Sequence, residues 1–322
     1  MLKILAISDI EDNRAAVELL LNDINPLDYD CAVLTGDIGP EIISWVMEQI
    51  SILFPVFYIY GNHEHSLEYA TQHAPNAHHV HNCIHDINGL YISGFSGCPA
   101  NWGRNPIYLN QLELLDRQHA TIITQLSDLN SKHELEKNEF ECMFDISNTI
   151  RLRMEYSERT KVGRETRAIM SKWVRMLDSQ NEALSQLTET GHYQAFLKDR
   201  KQAFKNTLHI NKQSLFEMLV VEQQIDMRKT ILLTHEKFTC LNDYFPVPAL
   251  MNVYGHTRPH CHKFWRKTHF VNASALDNNP SFYNLITGTP KGDEPGTYAT
   301  ISIDGQEVSV KFIELSQSLP HV

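Results

Sequence analysis

The sequence predicts an α/β fold built on a parallel sheet and interrupted by a long helical segment. Three observations carry that reading. The first hundred residues alternate apolar runs of strand length with amphipathic runs of helix length. The middle of the chain loses almost all of its glycine and proline. The remainder returns to strand-like runs and ends in a hairpin pattern. A βαβαβ order calls for right-handed crossovers and parallel pairing. The interrupting span exceeds any ordinary loop, so it needs structure of its own.

Each element follows in turn. "LKILAISD" is a continuous apolar run, as fits a strand buried on both faces. "NRAAVELLLNDI" sets Ala16, Leu19, Leu20 and Ile24 on one helical stripe. "DYDCAVLTGD", "EIISWVMEQI" and "FPVFYIYGN" continue as strand, helix and strand. The histidine-rich "HAPNAHHVHNCIH" reads as a loop leading into the strand "GLYISGF", with no acid or thiol at ligand spacing. From Pro106 to Arg228 only Gly163 and Gly191 interrupt a composition of Leu, Glu, Lys, Arg and Gln, which predicts several long antiparallel helices. "KTILLTHE" and "ALMNVYGHTR" return to strands, and "TYATISIDGQEVSVKFIEL" reads as a hairpin turning at "DGQ". The expected organisation is a core of residues 1–105 and 229–322 around a helical insertion at 106–228.

Composition narrows the function classes. No run of ~18 apolar residues occurs, so no membrane span is expected. "MLKILAISDI" is too short and too quickly charged for a secretory leader. Cysteines 31, 83, 98, 142, 240 and 261 are scattered without CxxC spacing, which suits reduced thiols in a cytoplasmic protein. The net charge is −11, and residues 105–229 hold eighteen of the 28 basic and eighteen of the 39 acidic side chains. That leaves ten basic against twenty-one acidic residues elsewhere. Such a field repels nucleic acid, so a polyanion would need a local basic patch or a metal. Residues 151–175 offer one such patch, with eight bases against three acids and Arg164, Arg167 and Arg175 near one face. It is either a solvated face with pairs such as Glu155–Arg159, or a guide for a nucleic acid or nucleotide.

The polar residues gather at strand ends: Asp9, Gly36-Asp37, Gly61-Asn62-His63-Glu64, His235 and His256. Ligands of open α/β sheets collect outside those carboxyl ends. In "YGHTRPH" His256 and His260 have helical spacing, but Gly255 and Pro259 make the stretch a turn. Carboxylates, an amide oxygen and imidazoles together suit divalent Mn, Fe, Ni or Zn. His260 and His262 read as residues of a surface turn, and Cys261 as packing.

"SDIEDN", "TGDIGP", "YGNHEH", "LTHEKF" and "YGHTRPH", in this order, resemble the calcineurin-like metallophosphoesterases. That family's pattern is D-x-H, G-D, G-N-H-[DE], H and G-H-x-H. "VNASALDNNP" and the final hairpin also look like its C-terminal part, while the helical segment has no counterpart. The resemblance implies a four-layer αββα sandwich with a large helical insertion. It also implies a phosphoesterase that uses one or two divalent ions, manganese first, and a metal-activated hydroxide. The substrate would be a phosphate ester, with a phosphodiester (nucleotide or nucleic acid, including nuclease action) preferred over a monoester. One ion would take Asp37, Asn62, His235 and His256. The other would normally take Asp9, a histidine two residues on, Asp37 and the second histidine of G-H-x-H. Glu11 and Arg258 stand at those two histidine positions. His63, backed by Glu64 or a neighbouring acid, would stabilise or protonate the leaving oxygen.

Three readings of the exchanges stay open. Glu11 is itself a ligand, and Arg258 grips the substrate phosphate with its planar donors. Alternatively, Arg258 sits between Asp9 and Glu11 as a fixed cation in place of one metal. In the third, the pocket is catalytically degenerate and the fold is a scaffold that binds protein through its helices. The insertion itself could be a cap or arm choosing substrate, a docking site for a protein partner, or a homodimer contact.

Overall fold

The computed structural model describes residues 1–64, 66–67, 72–97, 106–135, 156–238, 245, 247–257, 260–277 and 296–315. These form two compact units, Met1–Leu109 with Phe204–Val322, and Asn110–Ala203.

The first unit opens as expected from its apolar alternation: β1 (Leu2–Ile7), α1 (Arg14–Asp23), β2 (Cys31–Thr35), α2 (Ile43–Ser51) and β3 (Val56–Ile59). Asn13 caps α1, its side-chain oxygen accepting from the Ala16 N–H. The histidine-rich stretch departs from expectation. It is not a plain loop but supplies two short strands, β4 (Ala77–His79) and β5 (His85–Ile87), before β6 (Leu90–Phe95). Its rings pack on aromatic neighbours: His78 on Phe57, and His79 between Tyr58 and Tyr60. That packing makes the stretch strand-forming despite its polarity. The unit resumes with β7 (Thr230–Thr234), β8 (Met251–Tyr254), β9 (Cys261–Trp265), β10 (Thr268–Asn272), β11 (Thr297–Asp304) and β12 (Glu307–Glu314). His262 therefore lies on a strand rather than a surface turn, because β9 pairs antiparallel with β10.

Two six-stranded mixed sheets result, ordered β12-β11-β1-β2-β3-β4 and β5-β6-β7-β8-β10-β9. Period-two alternation divides their side chains. Ile4, Ala6, Val33 and Ile59 face Ile231, Leu233 and Val253 in a core between the sheets. Leu5, Ile7, Leu34 and Tyr58 point the other way, onto Val17, Leu20, Val46 and Met47 of α1 and α2. Beyond the second sheet, Phe95 and Leu232 pack on Leu215, Leu219 and Phe238. The fold is the four-layer αββα sandwich. β1, β2 and β3 run parallel in one sheet and β7 and β8 in the other, and hydrogen bonds from His235 to the Thr35 carbonyl and from the His256 N–H to the Asp9 carboxylate join their carboxyl ends in one rim.

The second unit is helical. It comprises most of α3 (Pro106–Gln118), residues 120–135 as α4, α5 (Tyr156–Thr188) and the first half of α6 (Gly191–Phe216). Inside it, His119 reaches Asp199 at 3.0 Å and its ring packs on Phe196. No helix among the described residues is long and apolar enough to cross a membrane. The side chains of Arg164 and Arg167 and the pair Glu155–Arg159 fall outside the described residues.

Candidate metal centre

The rim is knitted together before any ligand is considered. Ile10 and Glu11 both donate their N–H groups to the Asp37 carbonyl, and Asp12 donates to that of Ile38. The Asp12 carboxylate accepts from the backbone N–H groups of Glu41 and Ile42. Glu64 is fully buried and accepts three backbone N–H groups, from Asp37, Gly39 and Gly61, at 2.6–3.0 Å. It therefore fastens the β2 and β3 loops and does not back His63; among the described residues the acid paired with the His63 ring is Asp37, at 3.9 Å. Burial, followed by the nearby Asp37 charge, pushes the Glu64 carboxyl pKa up against the pull of its N–H donors.

Holding the loops this way bends the backbone. Asp9, Glu11, Asp12, Asp37 and His256 all have φ between 50° and 65°. Aspartate tolerates the left-handed region; for glutamate and histidine it stores about 1 kcal/mol or more each. Glycines stand where the loops touch. A Cβ on Gly61 would lie 2.2 Å from an Asp37 oxygen, and one on Gly255 would lie 1.7 Å from Ser8 Oγ.

Against this frame Asp37, His235 and His256 bring one ligand atom each within 4.8 Å of one another. Asp37 Oδ1 accepts the His63 N–H, leaving Oδ2 at 3.2 Å from His235 Nε2. His235 Nδ1 donates to the Thr35 carbonyl at 2.7 Å. That bond turns Nε2 toward Asp37, and on a neutral ring it would leave the Nε2 lone pair for an ion, the arrangement of a metal-ligating imidazole. Nε2 nevertheless has no aligned hydrogen-bond partner, and neither does Asn62 Oδ1. A buried polar atom without a partner is costly unless something else binds it. A divalent first-row ion fits that donor set.

Electrostatics agree. Burial works against a charged His235, but Asp37 and Asp9 outweigh it and carry the pKa to about 10. Burial also opposes the Asp37 carboxylate, yet His235 holds its pKa low. In the ion-free protein an imidazolium is thus the cation among the acids. Asp9 is almost fully buried; burial pushes its pKa up, and its Oδ2 accepts the His256 N–H at 2.9 Å.

Asp9 and Glu11 lie outside the three-residue cluster, although both line the same loops. Arg258 falls outside the described residues. Sequence reasoning missed Glu236, whose Oε1 comes within 3.6 Å of His256 Nε2. Its place directly after His235 was the available signal.

The model of the calcineurin-like phosphoesterase family matches residues 2–149. No curated protein matches the chain. Solved structures similar to it include TT1561 of Thermus thermophilus, at 11% identity and TM-score 0.42, covering 98% of this chain and 100% of that one. The phosphopantetheinyl hydrolase PptH from Mycobacterium tuberculosis matches at 12% and 0.36, over 85% and 89%. Vacuolar Protein Sorting 29 from Cryptosporidium parvum matches at 10% and 0.36, over 98% of both chains.

Proposed function

We propose that the chain is a metal-dependent phosphoesterase that prefers a phosphodiester, with manganese as its first-choice ion. The observation that supports this most is the convergence of Asp37, His235 and His256, whose ligand atoms lie within 4.8 Å of one another around a buried His235 Nε2 that has no aligned hydrogen-bond partner. Asp37, Asn62, His235 and His256 would hold one ion, and Asp9 with Glu11 a second. A divalent ion supplies Lewis acidity toward phosphoryl oxygens and makes water a nucleophile near neutral pH.

The protein's own groups do the rest. His63 is 41% exposed and tethered by its N–H to Asp37, so its ring stands at the mouth of the site. From there it donates a proton to the leaving oxygen. Arg258, directly after Thr257, clamps the phosphoryl oxygens through its planar donors.

A second reading, a degenerate scaffold, draws on one fact: Glu11 and Arg258 stand where the family pattern has histidines. Elemental analysis after manganese loading, paired with hydrolysis of bis(p-nitrophenyl) phosphate, separates the two. At least one ion per chain with metal-dependent hydrolysis supports the enzyme. A metal-free, inert protein under excess manganese means the scaffold.

A further inference from the structure

The charge of the first unit is not spread evenly. Outside residues 105–229 the chain has ten basic side chains, and five of them, Lys237, Arg258, Lys263, Arg266 and Lys267, fall within thirty-one residues. Only one acid, Asp243, lies among them. The 151–175 segment is therefore not the sole positive stretch of this acidic chain.

The structure puts most of these bases on one hairpin. β9 is the edge strand of its sheet and is exposed along most of its length. It carries two large rings in solvent, with Phe264 64% and Trp265 49% exposed. Arg266 stacks its guanidinium 4.4 Å over the Trp265 ring, and Phe264 lies 4.6 Å from the His269 ring. Lys263 pairs in register with Phe270, and the Lys237 ammonium sits 4.6 Å over that same Phe270 ring. Lys237 follows the metal-site His235 by two residues. At the other side, the Asn272 side chain at the end of β10 donates to both the carbonyl and Oγ1 of Thr257, next to His256. Lys263 and Trp265 thus share one face of the hairpin with Phe270, and Phe264 shares the other with His269, along a five-residue strand, about 13 Å at the rise of a strand, whose Cys261 end pairs with Asn272 near the metal centre.

A second copy of the chain is a poor occupant. Symmetric antiparallel pairing of β9 about its middle residue would place Lys263 opposite Lys263, and edge lysines block such pairing. An exposed edge with basic side chains for phosphates and open rings for unstacked bases matches a single-stranded nucleic acid. We infer that the β9–β10 hairpin is a binding platform for single-stranded nucleic acid, so that the phosphodiester cleaved at the metal centre belongs to a polynucleotide. This rests on the phosphodiesterase reading above for its catalytic half only.

The test uses the full manganese-loaded chain and a fluorescein-labelled, phosphorothioate-linked twelve-nucleotide oligothymidylate, followed by anisotropy across a salt series. Binding is expected, with affinity falling steeply as salt rises. The K263E/R266E/K267E variant should bind at least tenfold more weakly with a flatter salt dependence. Trp265→Ala should also lose about tenfold, the scale of one base–ring stack. Both variants should hydrolyse bis(p-nitrophenyl) phosphate at the parent rate. No binding at 50 mM salt, or equal binding by parent and both variants, overturns the inference. So does a Trp265→Ala defect seen with phosphatidylserine vesicles but not with the oligonucleotide. Hairpin-dependent binding by a protein inert toward the small diester would sink the catalytic reading and leave the platform standing.

Discussion

His235 and His81 are both buried imidazoles of the same unit, and they titrate in opposite directions. His81 accepts the Ser96 N–H on Nδ1 at 2.8 Å and stacks on His79. Burial and then the neighbouring His79 push its pKa down to about 3. His235 has an Nε2 without an aligned partner and two carboxylates acting on it, which lift its pKa to about 10. Burial is common to both; the environment of the second nitrogen is not. A satisfied ring in a neutral setting is structure, whereas an unsatisfied ring among acids is a place for a cation.

The largest effect that could break this contrast concerns metal. His235→Gln should lower manganese affinity by at least a hundredfold by calorimetry, since it removes a ligand aimed by Thr35. His81→Asn should leave that affinity unchanged. Equal losses in both variants would show that the contrast has no functional content. The next effect is on rate. His63→Ala should slow hydrolysis of a small diester ~10²-fold or more with manganese stoichiometry intact, the range of acid–base contributions. A drop in bound metal instead would make His63 a ligand rather than a proton donor.

How much of this was legible beforehand depended on how local the cause was. β1, α1, β2, α2 and β3 follow from apolar periodicity, which local sequence displays. β4 and β5 did not, because their three-residue strands are held by aromatic packing of His78 and His79 against rings from other elements. The donors of the centre were readable as strand-end residues, since a parallel sheet puts such ends on one rim. Glu64 was not readable in its real role. Three loops distant in sequence must converge before one carboxylate can accept from Asp37, Gly39 and Gly61. The basic-aromatic hairpin was overlooked for a similar reason, since Lys237 joins it only when the sheet brings Phe270 beneath its ammonium.

The two histidines also predict a pair of smaller effects in separate pH windows. A folded pKa below the unfolded value of about 6.5 means that, for His81, stability is intact above that pH. It falls as acid protonates the unfolded chain, by roughly 1.4 kcal/mol per pH unit between 6.5 and 3. His235 has the opposite sign. Its raised pKa stabilises the ion-free fold below 6.5, and that contribution is lost as pH rises toward 10. Urea titrations at pH 5 and 6 should show a shallower acid slope for His81→Asn than for the parent. Titrations of the chelated protein at pH 7.5 and 9 should show a shallower alkaline slope for His235→Gln. An alkaline slope unchanged by that substitution would mean His235 is neutral without metal, and the acids around it would then need another cation.

The smallest effect tests whether support can be separated from the site. Asn13 caps α1 through Oδ1 and donates through Nδ2 to Asp277, whose own N–H reaches the Asp9 carbonyl. Loss of a cap costs about 1 kcal/mol, and loss of one more buried hydrogen bond to a carboxylate adds a similar amount. Asn13→Ala should therefore lower unfolding free energy by about 2 kcal/mol while manganese affinity moves less than threefold, because Asp37, His235 and His256 belong to other loops. If affinity fell in step with stability, the frame and the metal centre would be one cooperative element. The distinction between His81 as support and His235 as site would then be a matter of degree.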